Sequence, residues 1–470
     1  DGTFVFGTSG GTQTYNAGLT TTSVGSTVTL NGTIATSNDA VVLGAVTLGS
    51  ATTVDTNATD NGADITVAAI TGGSNNLTLS TGDNISGADI TASGAISGLG
   101  NLTLADVGGT ATFSANVAVA ALSADSTAAN ITFTGSSNTF SAASTLANDG
   151  TLTFGDATGD SFTFNGGLTT SSVGGTVTLN TNISSSDDAL TFGAITLGNN
   201  VTIDTNSTTT NRADITLGAI TGGNNNLTLI TGNNVTGSNI TASGNISGVP
   251  TLRLAGVGGT ATLSGDVDVT TLAVDNTVAN VAFTGNGSSV ANAVTFANDG
   301  TLTLGTNGGT QTYNGGLDTA NVGGVVTLNG TIASSNDAIV FGAVTLGSNT
   351  VVDTNAANTT GDITIAAITG GNNNLTLTTE NNVADTDITA NGAIAGVTTL
   401  TLLNVGGTAT LSADVDVTTL TVGNTVANLV FTGNGSSVAN AVTFANDGTL
   451  TLGTNGGTQT YNGGLDTANV

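Results

Sequence analysis

The chain lacks cysteine, methionine, tryptophan and histidine, and its only basic side chains are Arg212 and Arg253. Each absence removes a class of function. Without Cys there is no disulfide framework and no thiolate metal site. Without His, Lys or Cys neither a zinc site nor a nucleophilic triad can be assembled. Two cations stand against 31 acidic residues, a formal net charge of −29. A polyanionic nucleic acid, which needs Lys and Arg to displace counterions from phosphates, is thereby excluded as a partner. An anionic lipid surface is excluded by the same electrostatics. No apolar run approaches the roughly 18 residues of a membrane span, so no membrane insertion is expected of these residues. Proline is nearly absent (Pro250 alone), whereas glycine is abundant at 69 residues, which at first suggests disorder. The 38% hydrophobic share argues against that, because disordered chains are poor in Val, Ile and Leu.

What is present is one unit written three times. The segment Gly11-Thr12-Gln13-Thr14-Tyr15-Asn16 returns as Asp160-Ser161-Phe162-Thr163-Phe164-Asn165 and again from Gly309 to Asn314, and restarts at Gly457. From Tyr15 to Phe164 to Tyr313 to Tyr461 the steps are 149, 149 and 148 residues. The repeats are placed at 1–148, 149–298 and 299–446, with a fourth beginning at 447–470. Asp1-Gly2-Thr3 recurs at Asp149, Asp299 and Asp447, so both ends are expected to be interior points of a longer array. Such arrays lean unit on unit and rarely hold a unique site.

Short alternating segments fill each repeat: Thr27-Val28-Thr29-Leu30, Ala45-Val46-Thr47-Leu48, Asp64-Ile65-Thr66-Val67 and Leu77-Thr78-Leu79. An apolar side chain on one side and Thr on the other is the period of a strand with one buried face. β-branched residues suit that surface, and Gly, Asn and Asp clusters such as Gly72-Gly73-Ser74-Asn75-Asn76 punctuate it as turns. No helical stripe is present. The anchors Leu30, Leu43, Val54, Ile65, Leu77, Ile90 and Leu102 follow one another at nearly even intervals of about a dozen residues. Two such segments make a coil of about 24 residues, which predicts an all-β parallel β-helix, or β-solenoid, of about six coils per repeat. At about 4.8 Å per coil the chain would form one continuous rod on the order of 90 Å long. A string of β-sandwiches is the alternative, but the scarcity of bulky residues, with aromatics at 4%, argues against it. Length differences fall in loops: Asp55 to Ala63 is nine residues, Asp204 to Ala213 ten.

Carboxylates are the only ionisable chemistry on offer. Asp187-Asp188 is the closest pair, yet adjacent strand residues point to opposite faces, and no enzyme activity is expected. Asp55, Asn57, Asp60, Asn61 and Asp64 crowd one loop and are weak Ca²⁺ candidates, since Ca²⁺ takes six to eight oxygen ligands. Other copies dilute the set: Asp204 and Asp214 flank Arg212, and the third keeps Asp353, Asn355 and Asp362. The alternative is that these residues cap turns; no cofactor and no metal site common to all copies is expected. Outward Thr pairs such as Thr27/Thr29, Thr110/Thr112 and Thr301/Thr303 raise ice or carbohydrate binding, but the motif is not expected to recur on every coil with the constant spacing a flat ladder needs. Sequons such as Asn76-Leu77-Thr78 and Asn84-Ile85-Ser86 are frequent and uninformative in a chain this rich in Asn and Thr.

Segments such as Gly309-Thr310-Gln311-Thr312-Tyr313-Asn314-Gly315-Gly316-Leu317 and Asn298-Asp299-Gly300-Thr301-Leu302-Thr303-Leu304 resemble repeats of giant bacterial surface proteins, the filamentous-haemagglutinin-like and autotransporter-type adhesins. The resemblance covers the whole chain at the level of composition and loose motifs. It implies a right-handed parallel β-helix, an extracellular or cell-surface location, and a role in adhesion or a surface fibre. It supplies no catalytic residue. The expected function is a structural, adhesive shaft that associates with copies of itself through its ends and flanks. Other cells or surface polysaccharide are further partners in that reading; the alternative is a carbohydrate- or ice-binding module.

Overall fold

The computed structural model describes residues 3–82, 85–208, 213–232 and 235–470; Asp1, Gly2, Asn84 and Arg212, named above, lie outside the described residues. Regular structure among the described residues is entirely β-strand. The chain divides into two compact units, Asp1–Ile240 and Thr241–Val470. Each unit is a stack of parallel strands coiled as a β-solenoid, and neither is a sandwich.

In the first unit each turn contributes to three strand columns, by separate short strands or by a longer strand that bends through the corners, not the two segments that anchor spacing suggested. The opening turn consists of Phe4–Phe6, Thr12–Tyr15 and Leu19–Thr20. Each strand lies in register on its equivalent one turn later, which generates three columns. Phe4 meets Val28, Val46 and Ile70 in the first; Thr12 meets Thr33 in the second; Leu19 meets Val41 and Ile65 in the third. Turn length varies: the turn from Val28 to Val46 is much shorter than the one from Ile70 to Ile96. The second unit repeats this contrast, with a short turn from Val326 to Val344 and a long one from Ile368 to Ile394. Strands stay in register because the extra residues leave the stack as loops, where solvated backbone costs little.

The expected inward residues are inward. Leu30, Leu43, Val54, Ile65, Leu77, Ile90 and Leu102 are buried, and alternate with partly exposed Thr. Corners are made by residues that tolerate left-handed backbone or lack a side chain. Gly73 (φ 57°) and Ser74 (φ 66°) turn one corner, and Gly223 with Asn224, and Gly371 with Asn372, turn its equivalents. At Gly94 the constraint is contact, since a Cβ there would lie 1.6 Å from the Ala68 carbonyl oxygen.

Sequence repeat and solenoid turn are incommensurate. Leu152, the counterpart of Phe4, lies in the third column, reached from Leu19 by Val41, Ile65, Ile90, Ala111 and Ile131. That is six turns from Leu19, which itself sits two strands beyond Phe4. One repeat therefore advances about six and two-thirds turns and displaces its counterpart by one face. The second unit takes the same step by itself. Leu302 starts a turn whose third strand holds Leu317, and Leu317 leads through Ile339, Ile363, Ile388, Ala409 and Leu429 to Leu450. About six coils per repeat is the observed scale, and the additional two-thirds is what rotates each repeat.

Candidate functional site

Two surface features were singled out in the sequence, the acidic loop and the Thr pairs, and the structure treats them differently. The acidic loop is tied into corners. Asp55 Oδ1 accepts the Asn57 backbone N–H at 3.0 Å and the Ser80 hydroxyl at 3.3 Å. Asp60 accepts from the Gly62 N–H at 3.0 Å and the Asn38 side-chain amide at 2.9 Å. Those two hydrogen bonds, the Asn38 bond first, hold the Asp60 carboxyl below the usual Asp value. Asp64 Oδ1 accepts the N–H of Asp89 one turn later at 2.9 Å. Each carboxylate thus serves a different piece of backbone, and among the described residues no three acidic side chains form a group able to hold a metal ion.

Inside this loop is a device that the sequence reading passed over. Asp55-Thr56-Asn57 recurs intact as Asp204-Thr205-Asn206 and Asp353-Thr354-Asn355. In each, the Asn has φ near 45° and donates its N–H to the Asp, at 3.0, 2.7 and 2.8 Å. The buried Thr between them donates its hydroxyl to the carbonyl of Ala63, Ala213 or Gly361, at 2.7, 2.8 and 2.7 Å. The signal was identity across copies, masked by variable neighbours. Burial pushes the Asp204 and Asp353 carboxyls above the usual value, with the Asn N–H opposing; the Glu380 charge adds to the rise at Asp353.

Asp187 (φ 68°) and Asp188 stand in a bend and not on a strand, so against expectation they are not held to opposite faces: both line a shallow open groove of about 420 Å³ with Thr145, Gly167, Thr169 and Thr191. Asp187 accepts the Thr208 hydroxyl at 2.7 Å, and Asp188 is pushed up by burial and then by the Asp187 charge. An equivalent groove of about 320 Å³ in the second unit contains Gly316, Asp318, Asp337 and Ala338. The second unit has Asp318 where the first has Thr169, so the two grooves share a shape and not a set of reactive groups.

The Thr residues, by contrast, assemble. In the second column of the first unit Thr12, Thr33, Thr53, Thr78, Thr103, Ser123, Thr145, Thr169, Thr191 and Thr216 are register partners turn after turn. In the third column Thr66, Thr91, Thr112, Thr132, Thr153, Thr178, Thr196 and Thr221 do the same. This corrects the expectation that the Thr pattern fails to recur. Spacing along the chain is irregular, but loops absorb the irregularity, and spacing along the stack is one turn, about 4.8 Å. Neighbouring rungs touch where chemistry allows, as at Thr103 and Ser123, whose hydroxyls are 3.0 Å apart.

Comparison with known proteins returns no match: no family model, no curated protein and no solved structure is similar to the chain.

Proposed function

We propose that this chain is the structural and adhesive shaft of an extracellular bacterial fibre, without enzymatic activity, that associates with copies of itself along its flanks. The observation that supports this most is the fractional turn count of the repeat. Within each unit a repeat that advances one face puts the next copy's loops on the next side of the solenoid, so a loop does not stack on the copy that follows it. That suits a stiff spacer better than a one-sided catalytic cleft, which would need its residues held at one place. Light scattering over a salt series tests the association: a net charge of −29 opposes it, and screening beyond about 8 Å at physiological ionic strength relieves that repulsion. Association that strengthens with salt is the expected result. A chain that stays monomeric from low to high salt, well above micromolar concentration, overturns the reading.

The in-register Thr ladders favour a second reading, a module that binds an ordered hydroxyl lattice, either ice or a crystalline polysaccharide. Its mark would be uptake of the chain into growing ice or onto insoluble polysaccharide, abolished by Thr78→Lys with Thr103→Lys.

A further inference from the structure

The charges are unevenly placed, and long stretches of the solenoid's faces carry none. In the first unit the six turns centred on Thr112, Thr132, Thr153, Thr178, Thr196 and Thr221 stack in one column. The residues two places before these centres run from Thr110 to Ala219, and those two places after run from Ser114 to Gly223. All of these positions are Thr, Ser, Asn, Ala or Gly, in a chain whose net charge is −29. The second unit has the same neutral face on Thr262, Ala282, Thr303, Thr327, Thr345 and Thr369. Its flanking positions add one Val (Val325) and again no charge. Behind the first face lies a stiff backing. Phe113, Phe133 and Phe154 are fully buried and stacked, with ring centroids 4.8 and 6.0 Å apart.

We propose that these neutral faces are the surfaces through which copies of the chain meet. The inference rests on the self-association reading and names the surface that carries it. The occupant follows from charge. Two copies bearing −29 each repel wherever carboxylates face one another, and the neutral faces are where that repulsion is least. The face is also self-matching. Its rungs repeat at the strand spacing, so a second face of the same spacing can place methyl against methyl and hydroxyl against hydroxyl along its whole length. Size limits the strength. Six turns at about 4.8 Å give about 29 Å, and four residues across at about 3.3 Å give about 13 Å. The resulting area of about 380 Å² per copy is half of the roughly 800 Å² per partner in a standard interface. One face alone makes a weak contact, and stable association needs several faces engaged together.

The chain has no cysteine, so single Cys probes report without background. Thr153→Cys and Thr303→Cys place a thiol on the neutral face of either unit, and Asn61→Cys places one on an exposed acidic corner. Each variant, with folding checked by circular dichroism, is treated with a short bis-maleimide at rising salt while sedimentation reports association. The expected result is a cross-linked dimer at least several-fold more abundant from the two Thr positions than from Asn61→Cys. Association with equal cross-linking at all three positions overturns this inference and leaves self-association standing. Absence of association at every salt concentration overturns both. Uptake into ice, without cross-linking, reassigns the face to a water lattice and equally overturns the inference.

Discussion

The same stretch of the repeat packs its core in two chemically different ways. In the first unit Phe113, Phe133, Phe140, Phe154, Phe162 and Phe164 are all fully buried. Phe140 stacks on Phe164 at 4.6 Å, and Phe154 meets Phe162 edge-on at 5.2 Å. The counterparts in the second unit are Leu263, Phe283, Val290, Leu304, Gln311 and Tyr313. There the interior is partly polar. Gln311 Nε2 donates to the Phe283 carbonyl at 2.7 Å and the Gly285 carbonyl at 3.3 Å, and the Tyr313 hydroxyl donates to Gln311 Oε1 at 3.1 Å. Burial pushes the Tyr313 hydroxyl well above its ordinary pKa. The turn therefore asks for volume and for satisfied polar atoms, and either stacked phenyls or a bonded Gln–Tyr pair meets the demand.

The sharpest way to break the comparison is Phe133→Ala. Phe133 touches Phe113, Phe140, Phe154 and Phe162, so its loss opens a cavity the strands cannot close. Denaturant unfolding should show a loss of about 3–5 kcal/mol in the first unit. Gln311→Ala should cost less, about 1–3 kcal/mol, mainly because the Tyr313 hydroxyl and a buried carbonyl lose their partner. The double change Gln311→Phe with Tyr313→Phe, which writes the first unit's chemistry into the second, should recover most of that loss. A double variant as unstable as Gln311→Ala would show that the two interiors are not interchangeable.

The smallest effect concerns Asp353. Burial first, and the Glu380 charge after it, raise the carboxyl above its unfolded value, so the folded chain holds this proton more tightly. The associated stabilisation is present while the group is protonated and is lost as pH rises through the folded-state pKa. Asp353→Asn keeps an acceptor for the Asn355 N–H and removes the titration. It should flatten the stability–pH profile in the acid range, and an unchanged profile would place the titration elsewhere.

Much of this fold was legible in the sequence. Alternation of Thr with Val, Ile and Leu identified the strands and their inward side, and the repeat identified an array. The number of strands per turn was not legible, because some corners carry no turn cluster. Val28–Thr36 is one unbroken strand that supplies two columns, bending only where Gly32 takes φ 66°. Val41–Asp55 likewise runs through three columns. A corner made by one glycine looks, in sequence, like the middle of a strand. The Thr ladders were hidden for the converse reason. Turns as unequal as Val28 to Val46 and Ile70 to Ile96 scramble any fixed chain spacing, although the rungs coincide in the stack.

Register is the claim on which the rest depends, and disulfide formation between paired substitutions measures it. Thr153 and Thr178 are register partners one full turn apart, whereas Thr169 lies closer to Thr153 along the chain and belongs to the second column. Partners on adjacent strands, about 4.8 Å apart, fall inside the roughly 4.4–6.8 Å Cα separation that a disulfide spans. Under mild oxidation Thr153→Cys with Thr178→Cys should close within one chain, and Thr153→Cys with Thr169→Cys should not. Closure of the nearer pair in sequence, or of both pairs equally, would contradict the three-strand turn and everything built on it.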